Sequence, residues 1–366
     1  MRWSWLLVGA CSLGGPGVEP CDSDRACRSR FGFGAVCEAD GFCDEAPPFE
    51  RCATTLPEAV DGDPIVIGTL FNRSNSEAVE DAARLAFVQA VAAGGLSGHD
   101  IVLVQCDYGP TDDALTRDEA VTQSVAYLSD TLGAEVIVGA SGSSTVLTAW
   151  QVLRDQDTVL ISPSATSPEL TFLDGAEHTD ERPGRLWRTV PPDTIQGKVI
   201  ASDIALQDDA PAGLIHDEGP YGVGLRDIIA AQLGDDQLVS RSFPAPALIA
   251  DRVIELTDDD TLQSLVMVSS TISDVVSFVD AVGGVDDLGD HHLYFPDVGA
   301  AVDVREALRD NGLVDRVRGT RPAVPSGDRY DAFAIAYRAE YGGRSADEDG
   351  FTAYAYDAMW LAVYGL

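Results

Sequence analysis

Basic side chains are scarce in this 366-residue chain: 24 Lys and Arg face 60 Asp and Glu, and Lys198 is the only lysine. A formal net charge of -36 leaves none of the basic patches that a phosphate backbone needs, which excludes nucleic acid as a partner. The acids are spread along the chain rather than blocked, so they read as a solvated surface. Apolar runs are short as well, and none approaches the roughly 18 residues of a membrane span. Histidine is rare, and His99, His178, His216, His291 and His292 are scattered without metal-ligand spacing. The acidic run Asp258 to Asp260 lacks the calcium-loop pattern and reads as a solvated turn. There is no G-x-S-x-G elbow, no G-x-x-x-x-G-K-[ST] phosphate loop and no G-x-G-x-x-G opening a helix after the first strand. The sequence therefore points to no cofactor, no metal and no enzyme.

The N-terminus, MRWSWLLVGAC, sets Arg2 before a short apolar run, two small residues and Cys11. It resembles a bacterial lipoprotein signal, with residues 1–10 removed and Cys11 carrying lipid. Cys21, Cys27, Cys37, Cys43 and Cys52 then crowd into a segment rich in Gly, Pro and Asp. Zinc knuckles favour pairs two to four residues apart, whereas Cys21 and Cys27, like Cys37 and Cys43, stand six apart. A disulfide framework in an oxidising compartment is the better reading. Four cysteines form a knot of undetermined pairing, and Cys52 with the distant Cys106 staples its exit to the body. Residues 11–63 are thus expected to be a tether and disulfide-rich module.

After Pro64 the texture changes. IVIGTL, IVLVQC, VIVG and TVLIS are unalternated apolar runs separated by amphipathic helices, one of them over about Glu77 to Ala93. Such runs are the mark of parallel strands buried on both faces. Residues Pro163 to Asp193 carry no long periodic stretch. A second series follows, with strands AGLIHD, Val239 to Phe243, SLVMVS and HLYF between helices. The fold class is α/β: two Rossmann-like lobes with parallel sheets joined by a hinge, residues 64–190 plus 321–366 forming lobe 1 and 191–320 lobe 2. The last residues, YAYDAMWLAVYGL, are still helical at Leu366 without a capping signal, so the sequence reads as cut short.

Open α/β sheets bind ligands at the carboxyl ends of their strands. Two loops there carry small hydroxyl residues. In VIVGASGSSTVLTAWQVL, Ser143, Ser144 and Thr145 stand at the mouth of a helix, whose free N-H groups and dipole attract a carboxylate. Plain N-capping explains those hydroxyls equally well. In ISPSATSPELT the prolines hold the chain extended, offering the Ser164 carbonyl and Thr166 hydroxyl as acceptors for an amine. Donors and acceptors together suit the head of an amino acid.

VIVGASGSST, LISPSATSPELT, LWRTVPPDTIQGKVIA and LIHDEGPYGVGLRD, with GGLSGHDIVLVQCD upstream, occur in the order and spacing of type I periplasmic binding proteins. The chain most closely resembles the Leu/Ile/Val-binding type of substrate-binding protein that serves branched-chain amino acid ABC importers. The resemblance implies a carboxylate held by Ser143 and Thr166, and an ammonium held by the Ser164 carbonyl, Thr166 and Asp297. It implies Tyr221 as the aromatic that closes over the ligand, and a further contact from Ser269, Ser270 and Thr271, where relatives often keep tyrosine. The loop FNRSNSEA departs from the family's pattern, with Phe71 or Arg73 as candidates to face the cleft. The implied partners are a small amino acid or amide, an ABC permease and the membrane through a lipid anchor, in the periplasm or at the cell surface. The alternative is a ligand-sensing receptor or surface interaction protein on the same fold, using the cysteine module as its contact.

Overall fold

The computed structural model describes residues 20–366 apart from 59, 61, 97–98, 176–178, 235 and 286–290. Cys11, the signal segment and His178 lie outside the described residues. A small module comes first, built from helix α1 (Asp24–Phe31) and the antiparallel pair β1 (Ala35–Cys37) and β2 (Cys43–Glu45). Its core is little more than Cys27, Ala35 and Cys43, too small to hold a fold by burial alone. Disulfides Cys21–Cys37 and Cys27–Cys43 supply the rest. The third bridge, Cys52–Cys106, joins the module's exit to the body, as the sequence suggested.

Six strands form the first sheet: β3 (Thr54–Leu56), β4 (Ile65–Phe71), β5 (Ile101–Asp107), β6 (Val136–Gly139), β7 (Val159–Ser162) and β8 (Leu186–Arg188). Their order is β3-β5-β4-β6-β7-β8, all parallel except β3. The sequence reading left residues 54–56 in the tether; pairing of Thr54 with Gln105, beside the Cys52–Cys106 bridge, makes them an edge strand instead. Helices α2 (Arg73–Ala92), α3 (Arg117–Ala126) and α4 (Ser143–Leu153) cover the faces. Two apolar cores result, one containing Val104, Leu128 and Ile137, the other Ile67, Phe87 and Val138. Burial on both faces explains why these strands show no alternation.

The second sheet is wholly parallel, β10-β9-β11-β12-β13, from β9 (Ala212–Asp217), β10 (Leu238–Phe243), β11 (Ser264–Val268), β12 (His292–Phe295) and β13 (Val317–Gly319). Its helices are α5 (Asp193–Leu206), α6 (Pro220–Leu233), α7 (Ile249–Thr257), α8 (Ile272–Gly283) and α9 (Val302–Asp310). The chain then returns to the first lobe through α10 (Asp328–Glu340) and α11 (Thr352–Gly365). Aromatic contacts clamp this pair, Phe333 and Tyr356 lying 4.6 Å apart at their centroids. Tyr337 and Tyr341 donate to the Ala78 and Asp81 carbonyls of α2, fixing the clamp to the sheet layer.

Two connections cross between the lobes among the described residues, one after β8 and one after β13. Tyr354 of α11 touches both: its carbonyl accepts from Thr189 at 2.8 Å and its hydroxyl donates to the Ala323 carbonyl at 3.0 Å. No helix among the described residues is long and apolar enough to cross a membrane.

Candidate functional site

The carboxyl ends of both sheets face one cleft of about 1000 Å3. Ser143, Ser164, Thr166, Tyr221, Thr271 and Asp297 line it, whereas Ser269, also named from the sequence, is buried and donates to Asp274 at 2.8 Å.

Gly139 ends β6 with φ +136, and a Cβ there would fall 2.3 Å from the Leu70 carbonyl oxygen, so only glycine fits. The chain then reaches Gly142, the N-cap of α4, which offers no side-chain cap. The hydroxyls of Ser143, Ser144 and Thr145 therefore sit in the first turn rather than at the capping position. The first-turn N-H groups are thus not consumed by a side chain at the capping position. Ser143 Oγ instead accepts the Ser167 N-H at 3.1 Å, tying the two hydroxyl loops together. Tyr108 buttresses the first loop by donating to the Ser141 carbonyl at 2.9 Å, and burial pushes its phenol up to about 12.

The second loop is held from below by Arg188, at the end of β8. Its guanidinium donates to the carbonyls of Thr166 (3.2 Å) and Ser167 (2.9 Å) and to the Thr171 hydroxyl. Across the cleft the Ser167 hydroxyl donates to the Pro220 carbonyl at 3.1 Å, a direct contact between the lobes.

The lobe 2 carboxylate is not a solvated loop acid. Asp297 is buried, and the buried Tyr221 hydroxyl donates to its Oδ1. Burial raises the pKa of both groups. A second carboxyl, which sequence reasoning did not single out, completes the site. Asp193, the first residue of α5, is 1% exposed. Burial first, and the Asp297 charge second, push it up to about 8. Its N-H donates to the Thr166 carbonyl at 2.9 Å, and its Oδ2 is buried with no hydrogen-bond partner. Gln196, with its amide oriented to satisfy both ends, donates to Asp193 Oδ1 at 3.0 Å and accepts from the Asp297 N-H at 3.2 Å. Gln196 thus links the buried Asp193 carboxyl to the backbone of the buried Asp297, and Arg188 is a nearby positive charge for Asp193. Such a pair is short of positive charge.

Two expectations are corrected. Phe71 is fully buried in the core behind the sheet, and Arg73 pairs with buried Glu80 at 2.7 Å, so neither lines the cleft. The helix also starts at Arg73 instead of Glu77. Asn72 caps it, and the non-helical backbone of Ser76 (φ -130°, ψ 21°) turns Asn72, Asn75 and Ser76 toward the cleft wall. Thr271 is the N-cap of α8, yet its side chain makes no capping bond.

The sulfurs of Cys21, Cys27 and Cys43 lie within 4.8 Å of one another, and each belongs to a disulfide.

The sequence pattern of the periplasmic binding protein family matches residues 70–366. The leucine-, isoleucine-, valine-, threonine- and alanine-binding protein of Pseudomonas aeruginosa is 31% identical over 145 residues, 39% of this chain and 35% of that protein. The leucine-specific-binding protein of Salmonella typhimurium is 32% identical over 147 residues, 40% and 36% of the two chains. The matched stretch thus spans about a third of these curated relatives. Among solved structures, the LivJ substrate-binding protein of Streptococcus pneumoniae in complex with isoleucine superposes with a TM-score of 0.62 at 21% identity, covering 82% of this chain and 83% of that one. The R. palustris solute-binding protein in complex with benzoate gives 0.63 at 16% identity, covering 82% of this chain and 80% of that one. These likenesses establish the fold, and with the match to residues 70–366 the chain belongs to the periplasmic binding protein family.

Proposed function

We propose that this protein is an extracytoplasmic solute-binding protein that captures a small amino acid-like ligand in the cleft and delivers it to an ABC importer, anchored at the membrane through a lipid on Cys11. The observation that carries the reading is the closeness of two opposite needs. The Thr166 carbonyl accepts the Asp193 N-H at 2.9 Å, while the N-H of its neighbour Ser167 donates to Ser143 at the mouth of α4. The helix mouth suits a carboxylate; the Asp193 and Asp297 pair, with the Ser164 carbonyl, suits an ammonium. The zwitterionic head of an amino acid carries both charges at that spacing. Relatives named for leucine, isoleucine and valine, and the neighbour solved with isoleucine, support an amino acid as the ligand class.

Lobe 2 contributes Asp297, Tyr221 and Thr271, so closure of the hinge completes the site and removes water. Fixed donors and acceptors count for more once water is gone. A permease reads the closed form, whose population the ligand raises by its differential affinity for the two states. The chain's residues bind and orient the ligand without altering it.

The separate two-disulfide module favours a second reading, a ligand-sensing receptor or surface interaction protein on the same fold. A neighbouring permease and ATPase gene pair supports import, and their absence supports sensing. The binding reading itself is tested by a thermal-shift screen of amino acids, amides and small organic anions on the full, disulfide-intact chain. A rise in Tm is expected for amino acids. Ser143→Ala and Thr166→Ala should each remove most of it; a rise unchanged in both variants would show that the site lies elsewhere.

A further inference from the structure

Given the amino acid reading above, on which this inference rests, the remainder of the cleft wall bears on the ligand's side chain. A pocket for a branched alkyl group is walled by apolar side chains, because a polar group buried against alkyl loses its hydrogen bonds to water. Here the wall is mixed. Val79, Ile272, Val276 and Phe351 supply apolar surface. Between them stand Asn75 and Ser141 from lobe 1 and Ser270 and Thr271 from lobe 2.

Several of these polar groups have capacity to spare. The hydroxyl oxygens of Ser141 and Ser164 are buried with no hydrogen-bond partner. Such orphans are rare in folded proteins, and each calls for a missing partner. Thr271 occupies a capping position without capping, which leaves its hydroxyl uncommitted to the helix beneath it. Asn75 accepts the Ser76 hydroxyl at 3.1 Å through its side-chain oxygen, an acceptor role that turns its amide nitrogen into the donor end of the pair.

We infer that the cleft selects an amino acid whose side chain carries an uncharged hydrogen-bonding group, a hydroxyl or a carboxamide, over a branched alkyl side chain. Closing the lobes on leucine takes water from the Ser141 and Thr271 hydroxyls and gives them no partner. Closing on glutamine or threonine gives them a donor and an acceptor. A site built to hydrogen-bond its ligand discriminates strongly against an analogue lacking that group, more than an apolar pocket discriminates by size. The formal charge of the surroundings does not decide the matter, since the acids at the cleft rim, such as Asp303 and Glu306, are exposed and solvated.

The test is titration calorimetry of the full, disulfide-intact chain with L-glutamine, L-threonine, L-leucine, L-isoleucine and L-lysine in one buffer. Glutamine or threonine should bind at least tenfold more tightly than leucine and isoleucine. Thr271→Val and Ser141→Ala should each narrow that ratio severalfold by weakening the polar ligand and sparing leucine. Leucine or isoleucine binding as tightly as either polar ligand, or lysine binding best, overturns the inference while leaving the amino acid reading intact. A ratio unchanged in both variants overturns it too. Heat from none of the five overturns both.

Discussion

Ser167 donates its N-H to Ser143 Oγ at 3.1 Å, joining the loop after β7 to the first turn of α4. The position of each hydroxyl loop is thereby tied to that of the other. Removing the acceptor with Ser143→Ala leaves a buried backbone N-H unpaired, at a cost of about 1–3 kcal/mol. Denaturant unfolding should show that loss, and ligand affinity should fall at least tenfold because Thr166 shifts with its neighbour.

Asp193 gives a pH signature. Its carboxyl is held at about 8, against an ordinary value near 3.8, so the folded chain keeps a proton that the unfolded chain has released. For a raised acid, stability falls as pH climbs between those two values. Asp193→Asn should flatten that decline, visible in Tm measured from pH 4 to 8. An ammonium ligand favours the charged carboxylate, so affinity should rise with pH between 6 and 8, by up to about tenfold per unit. The variant should bind weakly with little pH dependence, as read by calorimetry.

The Tyr221 hydroxyl donates to Asp297 Oδ1, and both groups are buried. Tyr221→Phe keeps the ring and deletes the bond, with an expected loss of about 1–3 kcal/mol in stability. Weaker ligand binding should accompany it. Full affinity in the variant would mean that Asp297 needs no such support.

The Cys52–Cys106 bridge closes a separation of 54 residues. Chain-entropy arithmetic for a loop of that length gives about 4 kcal/mol. Replacing both cysteines with serine should lower unfolding free energy on that order, and should free β3 from the edge of its sheet. Hydrogen exchange at Thr54 to Leu56 reads the second effect.

The elements legible in the sequence were those whose burial is two-sided and continuous. HLYF maps onto β12 without adjustment, and IVLVQC onto β5 but for one residue. β8 and β13 escaped notice because each has three residues and contains arginine, Arg188 or Arg318, so no apolar run marks it. α10 was not read at all, its hydrophobic residues being aromatic ones that meet α11 rather than one clean stripe. The loops bearing Ser143 and Thr166 were legible because each follows an apolar run directly and clusters small hydroxyl residues there. Asp193 was not. In PPDTIQG it looks like an acidic first-turn residue, as in many exposed helices; its burial depends on Thr166, Gln196 and Asp297, which come together only in the fold. Cysteine spacing identified the Cys52–Cys106 staple but left the knot's pairing open, since that choice belongs to the geometry of α1 against β1 and β2.

The central claim is that both charges of an amino acid head are gripped at once, by the α4 mouth and by the Asp193 and Asp297 pair. Thermal shift of the full chain with the twenty free amino acids, each beside its N-acetyl and methyl ester forms, tests it most directly. Free amino acids should raise Tm while both blocked forms do nothing. A rise that survives either block would contradict the account.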